Sequence, residues 1–268
     1  GKWLAYNDHR GRWQLDHADV IVSQAAASIG EELLGLVGQV RDDEKKLKAL
    51  IMWMKRCESA HGVAACLSAA RGVPGIAVDH DVIDARPWLL NVTNGTVDLV
   101  TGELRPHDAA DMLMMQAATS YVPGAPAPKW QAFLERVLPD PEVRGLVQRL
   151  AGLALIGEQP EHVIAVNIGG GANGKSVTTN VLAGVLGDYA VVAAKDLLLA
   201  LKHDTHPTAK ATLFRRRLAH LGELPQGARL DEAQVKELTG GDRITARRMY
   251  ENEWTFAPSH LLWVHANH

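Results

Sequence analysis

Residues 162–176 read HVIAVNIGGGANGKS, and this stretch decides the fold. Its first seven residues form an almost continuous apolar run of strand length, which is typical of a parallel strand buried on both faces of an α/β sheet. A glycine cluster follows directly. Beyond it the apolar residues recur at helical spacing, and they are Val177, Val181, Leu182, Val185 and Leu186. The stretch therefore predicts a strand, a glycine loop and a helix in immediate succession.

The glycine loop matches every position of the Walker A pattern GxxxxGK[ST]. Glycines let the backbone approach phosphate oxygens closely, while successive N–H groups and the dipole of the following helix supply positive potential. We expect Lys175 to reach the β- and γ-phosphates of ATP and the Ser176 hydroxyl to bind Mg²⁺. The predicted nucleotide-binding residues are Gly169, Gly170, Gly171, Ala172, Asn173, Gly174, Lys175, Ser176 and Val177.

Two apolar runs further along the chain each end in a polar side chain. Residues 217–223 read RLAHLGE and predict a strand that ends in Glu223. P-loop enzymes place there the acid that holds the metal or polarises the attacking water. Residues 261–267 read LLWVHAN and predict a strand that ends in Asn267. From these residues alone, a solvated acid and a turn-forming asparagine are the simpler alternatives.

Between the two runs, residues 236–248 read KELTGGDRITARR and are rich in turn residues and basic side chains. The order of these motifs resembles the superfamily-three helicases, specifically the C-terminal region of phage and plasmid primase-helicases related to the poxvirus and satellite-phage enzymes. In that family Lys-x-Leu-Thr-Gly-Gly-Asp-x-Ile-x-Ala-Arg is the motif between Walker B and sensor 1, and it is present here letter for letter. Residues 89–103 look like the family's region before the helicase core.

The resemblance implies a role for each polar residue of the site. Lys175 and Ser176 would bind the triphosphate and Mg²⁺, and Glu223 would be the Walker B acid and a second metal-binding residue. Asn267 would be sensor 1, which orients water against the γ-phosphate. Lys175, Glu223 and Asn267 would therefore be the catalytic residues.

The resemblance also implies that residues 236–248 form a hairpin that projects toward DNA in the channel of a hexamer. The candidate DNA-binding residues are Lys236, Arg243, Arg247 and Arg248. A phosphate contact of this kind would be sensitive to salt and nearly independent of DNA sequence. From the residues alone, a solvated basic loop is the alternative.

The chain departs from the family pattern in two places. Gly222 occupies the position where many Walker B motifs have a second acid, so Glu223 would serve alone. The sequence stops at His268, immediately after the predicted sensor 1, whereas family members continue with an arginine-bearing segment that acts on the neighbouring subunit's nucleotide. Arg215, Arg216 and Arg217 precede Walker B and are in the wrong order for that role; they predict a charged strand edge or a contact to DNA or nucleotide. We expect a fragment that hydrolyses ATP poorly by itself.

The predicted fold is an α/β P-loop NTPase core, incomplete at its C-terminus, preceded by a mainly α domain with small β elements. Residues 1–125 would form the first domain, with a small hairpin, helical segments at about 18–40 and 43–61, and a β-meander at 84–108. Pro and Gly residues at 123–128 mark a linker. Residues 126–158 would form a helical connector, and 159–268 the core.

Composition sets wider limits on the kind of protein. The chain has 268 residues, of which 47% are hydrophobic, and a net charge of −3, so it can bury a full core and does not coat nucleic acid through bulk charge. Cys57 and Cys66 have no ligand-spaced histidines nearby and predict reduced thiols. No run of about 18 apolar residues occurs. We expect a cytoplasmic protein, in a bacterial host cell if phage- or plasmid-encoded, with no membrane partner.

Together these observations predict an ATP-dependent DNA helicase or translocase. It would use ATP and Mg²⁺ as a homo-hexamer on single-stranded or forked DNA. Two alternatives remain open from the sequence. One is a non-catalytic DNA-binding and oligomerisation fragment that binds nucleotide only, and the other is a small-molecule P-loop kinase, which would not need the 236–248 motif.

Overall fold

A computed structural model describes residues 2–171, 173–200, 207–225, 227 and 229–267. It contains two compact units. The first comprises Gly1–His9 with Trp13–Ile83, and the second comprises Arg10–Arg12 with Asp84–His268. The predicted domain limits at 125 and 158 do not coincide with this division and stay predictions.

The first unit is mainly helical. It has a two-stranded sheet of β1 (Leu4–Asn7) and β2 (Arg12–Leu15), followed by four α-helices. These are α1 (Val20–Glu32), α2 (Val37–Val40), α3 (Glu44–Glu58) and α4 (Ala60–Ala70). The helix expected over 43–61 is divided at Ser59, because that residue has extended backbone and its hydroxyl accepts from the Gly62 amide at 3.1 Å as the N-cap of α4.

Judged by length and composition alone, one helical stretch of the first unit could cross a membrane. His17–Val40 spans 24 residues, has a mean hydropathy of 1.4 in its apolar window, and 11% of that window is buried. The stretch is interrupted by 3₁₀ turns at His17–Asp19 and Leu33–Leu36, and α1 contacts α3 and α4. The expectation that no run of about 18 apolar residues occurs concerns uninterrupted apolar sequence, and polar residues such as Ser23, Gln24, Glu31 and Glu32 interrupt this stretch.

The second unit begins with the expected β-meander. Strands β3 (Leu89–Val92), β4 (Gly95–Asp98) and β5 (Leu104–Arg105) pair antiparallel in that order. Two helices follow, α5 (Pro128–Val137) and α6 (Pro141–Leu153). The carboxylate of Asp140 caps α6 by accepting from the Glu142 amide at 2.8 Å, as the Asp-Pro-Glu sequence predicts.

A four-stranded parallel sheet forms the centre of the second unit and confirms the α/β prediction. Its order is β6-β11-β8-β7. The strands are β6 (Ile164–Ile168), β7 (Ala190–Val192), β8 (Leu218–Glu223) and β11 (Leu261–Ala266). Helices α7 (Lys175–Leu186), α8 (Pro207–Ala211) and α9 (Glu232–Thr239) connect them, and β9 (Ile244–Arg247) and β10 (Glu253–Phe256) form a separate antiparallel pair.

The prediction that β6 is buried on both faces is wrong. Within the described residues β6 lies at the edge of the sheet, and the side chains of Val166 and Ile168 are 47% and 69% exposed. Strand β11 is buried over Leu261–His265, because it lies between β6 and β8. Its residues alternate between two core clusters, with Leu262 and Val264 in one and Leu261 and Trp263 in the other.

Candidate functional site

Three of the predicted site elements meet at one edge of the parallel sheet. The glycine loop follows β6, Glu223 ends β8, and Asn267 follows β11. In a parallel sheet the carboxyl ends of all strands lie at the same edge, which is where open α/β sheets bind ligands. Strand β11 lies between the other two, so the Asn267 segment is flanked by the glycine loop and by Glu223.

Glycine is required at position 174, where the loop enters α7. Gly174 is the N-cap of this helix with φ +86, in the left-handed region. A Cβ built on it would lie 2.8 Å from Val137 Cγ1 and 3.1 Å from Phe133 Cζ, both on α5. The residue thus allows both the turn and the close packing of α5 against the loop.

The first turn of α7 keeps its amide groups available. No side chain among the described residues caps this helix. The Thr178 hydroxyl donates to the Gly174 carbonyl at 3.0 Å, and the Gly169 amide donates to the Ala266 carbonyl at 3.2 Å, which joins the start of the loop to the end of β11. Ala172 lies outside the described residues.

Lys175 and Asn267 are brought together although 92 positions separate them. The Lys175 ammonium donates to Asn267 Oδ1 at 3.2 Å, to the Gly170 carbonyl at 3.4 Å and, in a shorter contact, to the Gly169 carbonyl. All three acceptors are neutral oxygens at the mouth of the loop. The cation is therefore held where the loop, the helix and β11 converge.

The other predicted nucleotide and metal residues lie on the same edge and are open to solvent. Asn173, Ser176 and Val177 are exposed, and so is Glu223. Glu223 pairs in register with His265 across the β8–β11 ladder, next to a bulge between Val264 and His265.

Sequence reasoning missed His265 and Thr179, which lie behind this edge. His265 Nε2 and Thr179 Oγ1 are 2.9 Å apart, and both side chains are buried. Burial, followed by the nearby His220 and Lys175, lowers the pKa of His265, and Glu223 opposes that change. One signal was available: His265 is two positions before Asn267, so both side chains belong to the same face of the strand.

The basic motif does not form one hairpin as predicted, because Lys236 lies on α9. The hairpin is later in the chain, with β9 pairing to β10 so that Ala246 faces Trp254. Ile244 and Ala246 are buried and Arg247 is exposed, since side chains alternate along the strand.

Backbone and side-chain groups of the hairpin itself hold the other two arginines, Arg243 and Arg248. Arg243 Nη2 donates to the Thr255 carbonyl at 2.9 Å. The guanidinium of Arg248 lies 5.0 Å from the centre of the Trp254 ring, and its Nη1 is 3.8 Å from Glu251. The sequence did not single out the turn between the strands, where Tyr250 is 99% exposed with φ +63.

Of the three consecutive arginines at 215–217, Arg217 does not reach the site, because it is buried in the core with 3% exposure. Its guanidinium donates to the Leu155 and Leu89 carbonyls, the latter at 2.5 Å, and lies 4.3 Å from the centre of the Tyr189 ring. A contact from Arg217 to DNA or nucleotide is therefore excluded, and so is a solvated edge. The residue belongs to the core between the sheet and the meander.

Comparison with known proteins adds an independent line of evidence. The model of the family described as "D5 N terminal like" matches residues 1–139. A mimivirus protein named "Putative helicase L207/L206" (Acanthamoeba polyphaga mimivirus) is 28% identical over 184 residues, and an African swine fever virus protein named "Putative primase C962R" is 24% identical over 183 residues. These alignments cover 66% and 65% of the chain and 19% of each relative, so the chain spans about a fifth of their length.

Among solved structures, the apo C-terminal region of NrS-1, residues 305–718, aligns with 63% of this chain and 46% of its own. The TM-score is 0.44 and the sequence identity 13%.

These matches show that the chain belongs to the class of phage and viral primase-helicase family proteins. Within that class it belongs to the D5 N terminal like family, whose model covers more than half of its residues.

Proposed function

We propose that the loop at 169–176 binds ATP with Mg²⁺, and that in the complete protein this binding and hydrolysis drive DNA unwinding or translocation. The observation that carries the proposal is the convergence of Lys175 and Asn267, 3.2 Å apart, at the mouth of a glycine loop that opens a helix. The family's replication relatives support the DNA part of the proposal.

The residues at this edge suit a triphosphate. Lys175 holds three neutral oxygens, which phosphate oxygens would replace with a stronger, charge-assisted interaction. The uncapped amides of the first turn of α7 would add donors. Asn267 would orient the attacking water beside the same γ-phosphate.

Ser176 and Glu223 supply a hydroxyl and a carboxylate, the hard oxygen donors that Mg²⁺ prefers, and both are exposed at this edge. When bound, Mg²⁺ would neutralise charge that develops on the β- and γ-phosphates. Glu223 would also accept a proton from the attacking water, since Gly222 offers no second carboxylate.

DNA contact is proposed for the β9–β10 hairpin. Arg247 and Arg248 are exposed near its turn, and Tyr250 offers an aromatic ring on which a base could stack. Arg243 supports the hairpin through its bond to Thr255, and Lys236 on α9 would contact DNA from outside the hairpin. We further propose that the complete protein acts as a homo-hexamer around single-stranded or forked DNA in the host cytoplasm.

The proposal is tested by nucleotide binding and turnover. We expect a fluorescent ATP analogue to bind the chain with Mg²⁺, and Lys175→Ala to weaken binding by more than about tenfold. Lys55→Ala, an exposed lysine of α3, is the matched control. The full-length protein should hydrolyse ATP faster with DNA, and Lys175→Ala should abolish this turnover.

Equal binding by wild type and Lys175→Ala would overturn the nucleotide site. Binding without turnover in the full-length protein would favour a non-catalytic module, and turnover indifferent to DNA but dependent on a small acceptor would favour a kinase.

A further inference from the structure

One buried polar contact beside the site has no part in the proposed chemistry. Thr179, in the second turn of α7, is 1% exposed, and His265, on β11, is 5% exposed. Their Oγ1 and Nε2 atoms are 2.9 Å apart. Burying two polar groups costs free energy unless they are paired, so this hydrogen bond offsets a cost that would return if either partner were replaced by an apolar residue.

The hydrogen-bond partners fix its direction. The Thr179 hydroxyl donates its one proton to the Lys175 carbonyl at 3.2 Å. With its one proton on that carbonyl, the hydroxyl accepts from His265, and this assignment places the ring proton on Nε2. His265 Nδ1 is buried and has no hydrogen-bond partner among the described residues. The ring thus makes one directed bond, and that bond ends on the helix that begins at Lys175.

Among the described residues, this bond is one of two parallel side-chain connections from α7 to β11 or to the residue directly after it. The other joins Lys175 to Asn267. Residues 265 and 267 are about 6.7 Å apart on one face of a strand, and residues 179 and 175 are about 6 Å apart along one face of a helix. These two spacings are nearly equal and α7 runs antiparallel to β11, so Thr179 lies beside His265 where Lys175 lies beside Asn267. A fixed first connection therefore sets the position of the second.

We propose that His265 is a positioning residue: through Thr179 it holds the first turn of α7 at the height on β11 that places the Lys175 ammonium and the Asn267 amide together at the γ-phosphate. The inference rests on the proposed nucleotide site and concerns its selectivity for a triphosphate. His265 does not touch the nucleotide in this scheme.

Selectivity gives a readout that a purely structural role would not move. Asn267 would serve the γ-phosphate and Lys175 both the β- and γ-phosphates, whereas the loop amides hold the β-phosphate without either side chain. We expect His265→Leu and Thr179→Val to weaken Mg²⁺-ATPγS binding about tenfold, the effect of one buried hydrogen bond. Binding of Mg²⁺-ADP should weaken less than ATPγS binding, because ADP has no γ-phosphate to lose contact with Asn267 and Lys175, and the loop amides still hold its β-phosphate.

Conservative variants complete the test. His265→Gln keeps a donor and Thr179→Ser keeps the hydroxyl, so both should restore triphosphate binding. The double variant His265→Leu with Thr179→Val should lose no more than either single change, because both remove one bond. Thr96→Val, which replaces another buried threonine in the meander, is the control and should bind both nucleotides as wild type does.

Equal weakening of ATPγS and ADP binding, or none, would overturn the inference. If His265→Leu does not fold, Thr179→Val decides alone. Failure of the proposed function looks different, because wild type and Lys175→Ala would then bind either nucleotide equally.

Discussion

At the scale of single residues, Gly174 shows how one missing side chain shapes the site. A substitution there meets two separate costs, the left-handed backbone and the collision with Val137. Gly102 shares the first cost only, since its φ is +74 and nothing lies within 4 Å of a Cβ built on it.

Replacing each of these two glycines by alanine therefore separates the cost of backbone strain from the cost of the collision. Gly102→Ala should cost about 1 kcal/mol of unfolding free energy, the strain of alanine at positive φ. Gly174→Ala should cost more and should also weaken ATP binding. Urea unfolding checks the stability, and Gly174→Ala combined with Val137→Ala should recover part of the loss. Identical costs at both positions would contradict the packing argument.

Arg217 yields a second prediction. Arg217→Met leaves the Leu155 and Leu89 carbonyls without their donor and should cost about 3 kcal/mol or more of unfolding free energy. Arg217→Lys should not rescue it, because an ammonium lacks the planar fork. Arg41→Met, at a position whose side chain is 75% exposed, should have no measurable effect in the same urea titration.

His260 makes stability depend on pH. It is fully buried, and burial lowers its pKa from 6.5 to about 4. Above pH 6.5 the ring is neutral in both states; as the pH falls from 6.5 toward 4, only the unfolded state gains the proton, so stability is lost across that window. The loss should be roughly 3 kcal/mol. His260→Leu should flatten this part of the profile and His61→Gln, an exposed control, should not.

At the scale of elements, two residues of the β9–β10 hairpin allow the contributions of charge and of base stacking to DNA binding to be measured separately. Arg247→Gln should weaken single-stranded DNA binding by the full-length protein and reduce the slope of log affinity against log salt by about 0.7. Tyr250→Ala should weaken binding with no change of slope, because a stacked ring releases no counterion. Arg41→Gln is the control, and unchanged affinity in both hairpin variants would remove the hairpin from the DNA contact.

Local patterns predicted most elements near the site, and long-range order explains the misses. The loop, α7, β8 and the last strand follow from apolar spacing and their polar ends. The exposure of β6 could not be read locally, because apolar content does not say which strand lies at a sheet edge. Arg217 was misread for the same reason, since its acceptors, Leu155 and Leu89, are 62 and 128 positions away.

At the scale of the whole molecule, the two units differ in how much they bury. In the described part of the first unit Ala26 is the one buried apolar residue, whereas both core clusters belong to the second. Hydrogen exchange should therefore be faster for amides of α3 and α4 than for β8 and β11, because opening costs less where little apolar area is buried. Equal protection would show that the first unit gains stability from something other than its own core.

Because side chains alternate along β11, the number of residues between two positions decides whether they lie on the same face of the strand. Trp263, His265 and Asn267 share a side only because even numbers separate them. An insertion or deletion of one residue between Trp263 and Asn267 would send the amide to the opposite side of the sheet, away from Lys175. Any functional variant of this segment should therefore change length by two residues or not at all.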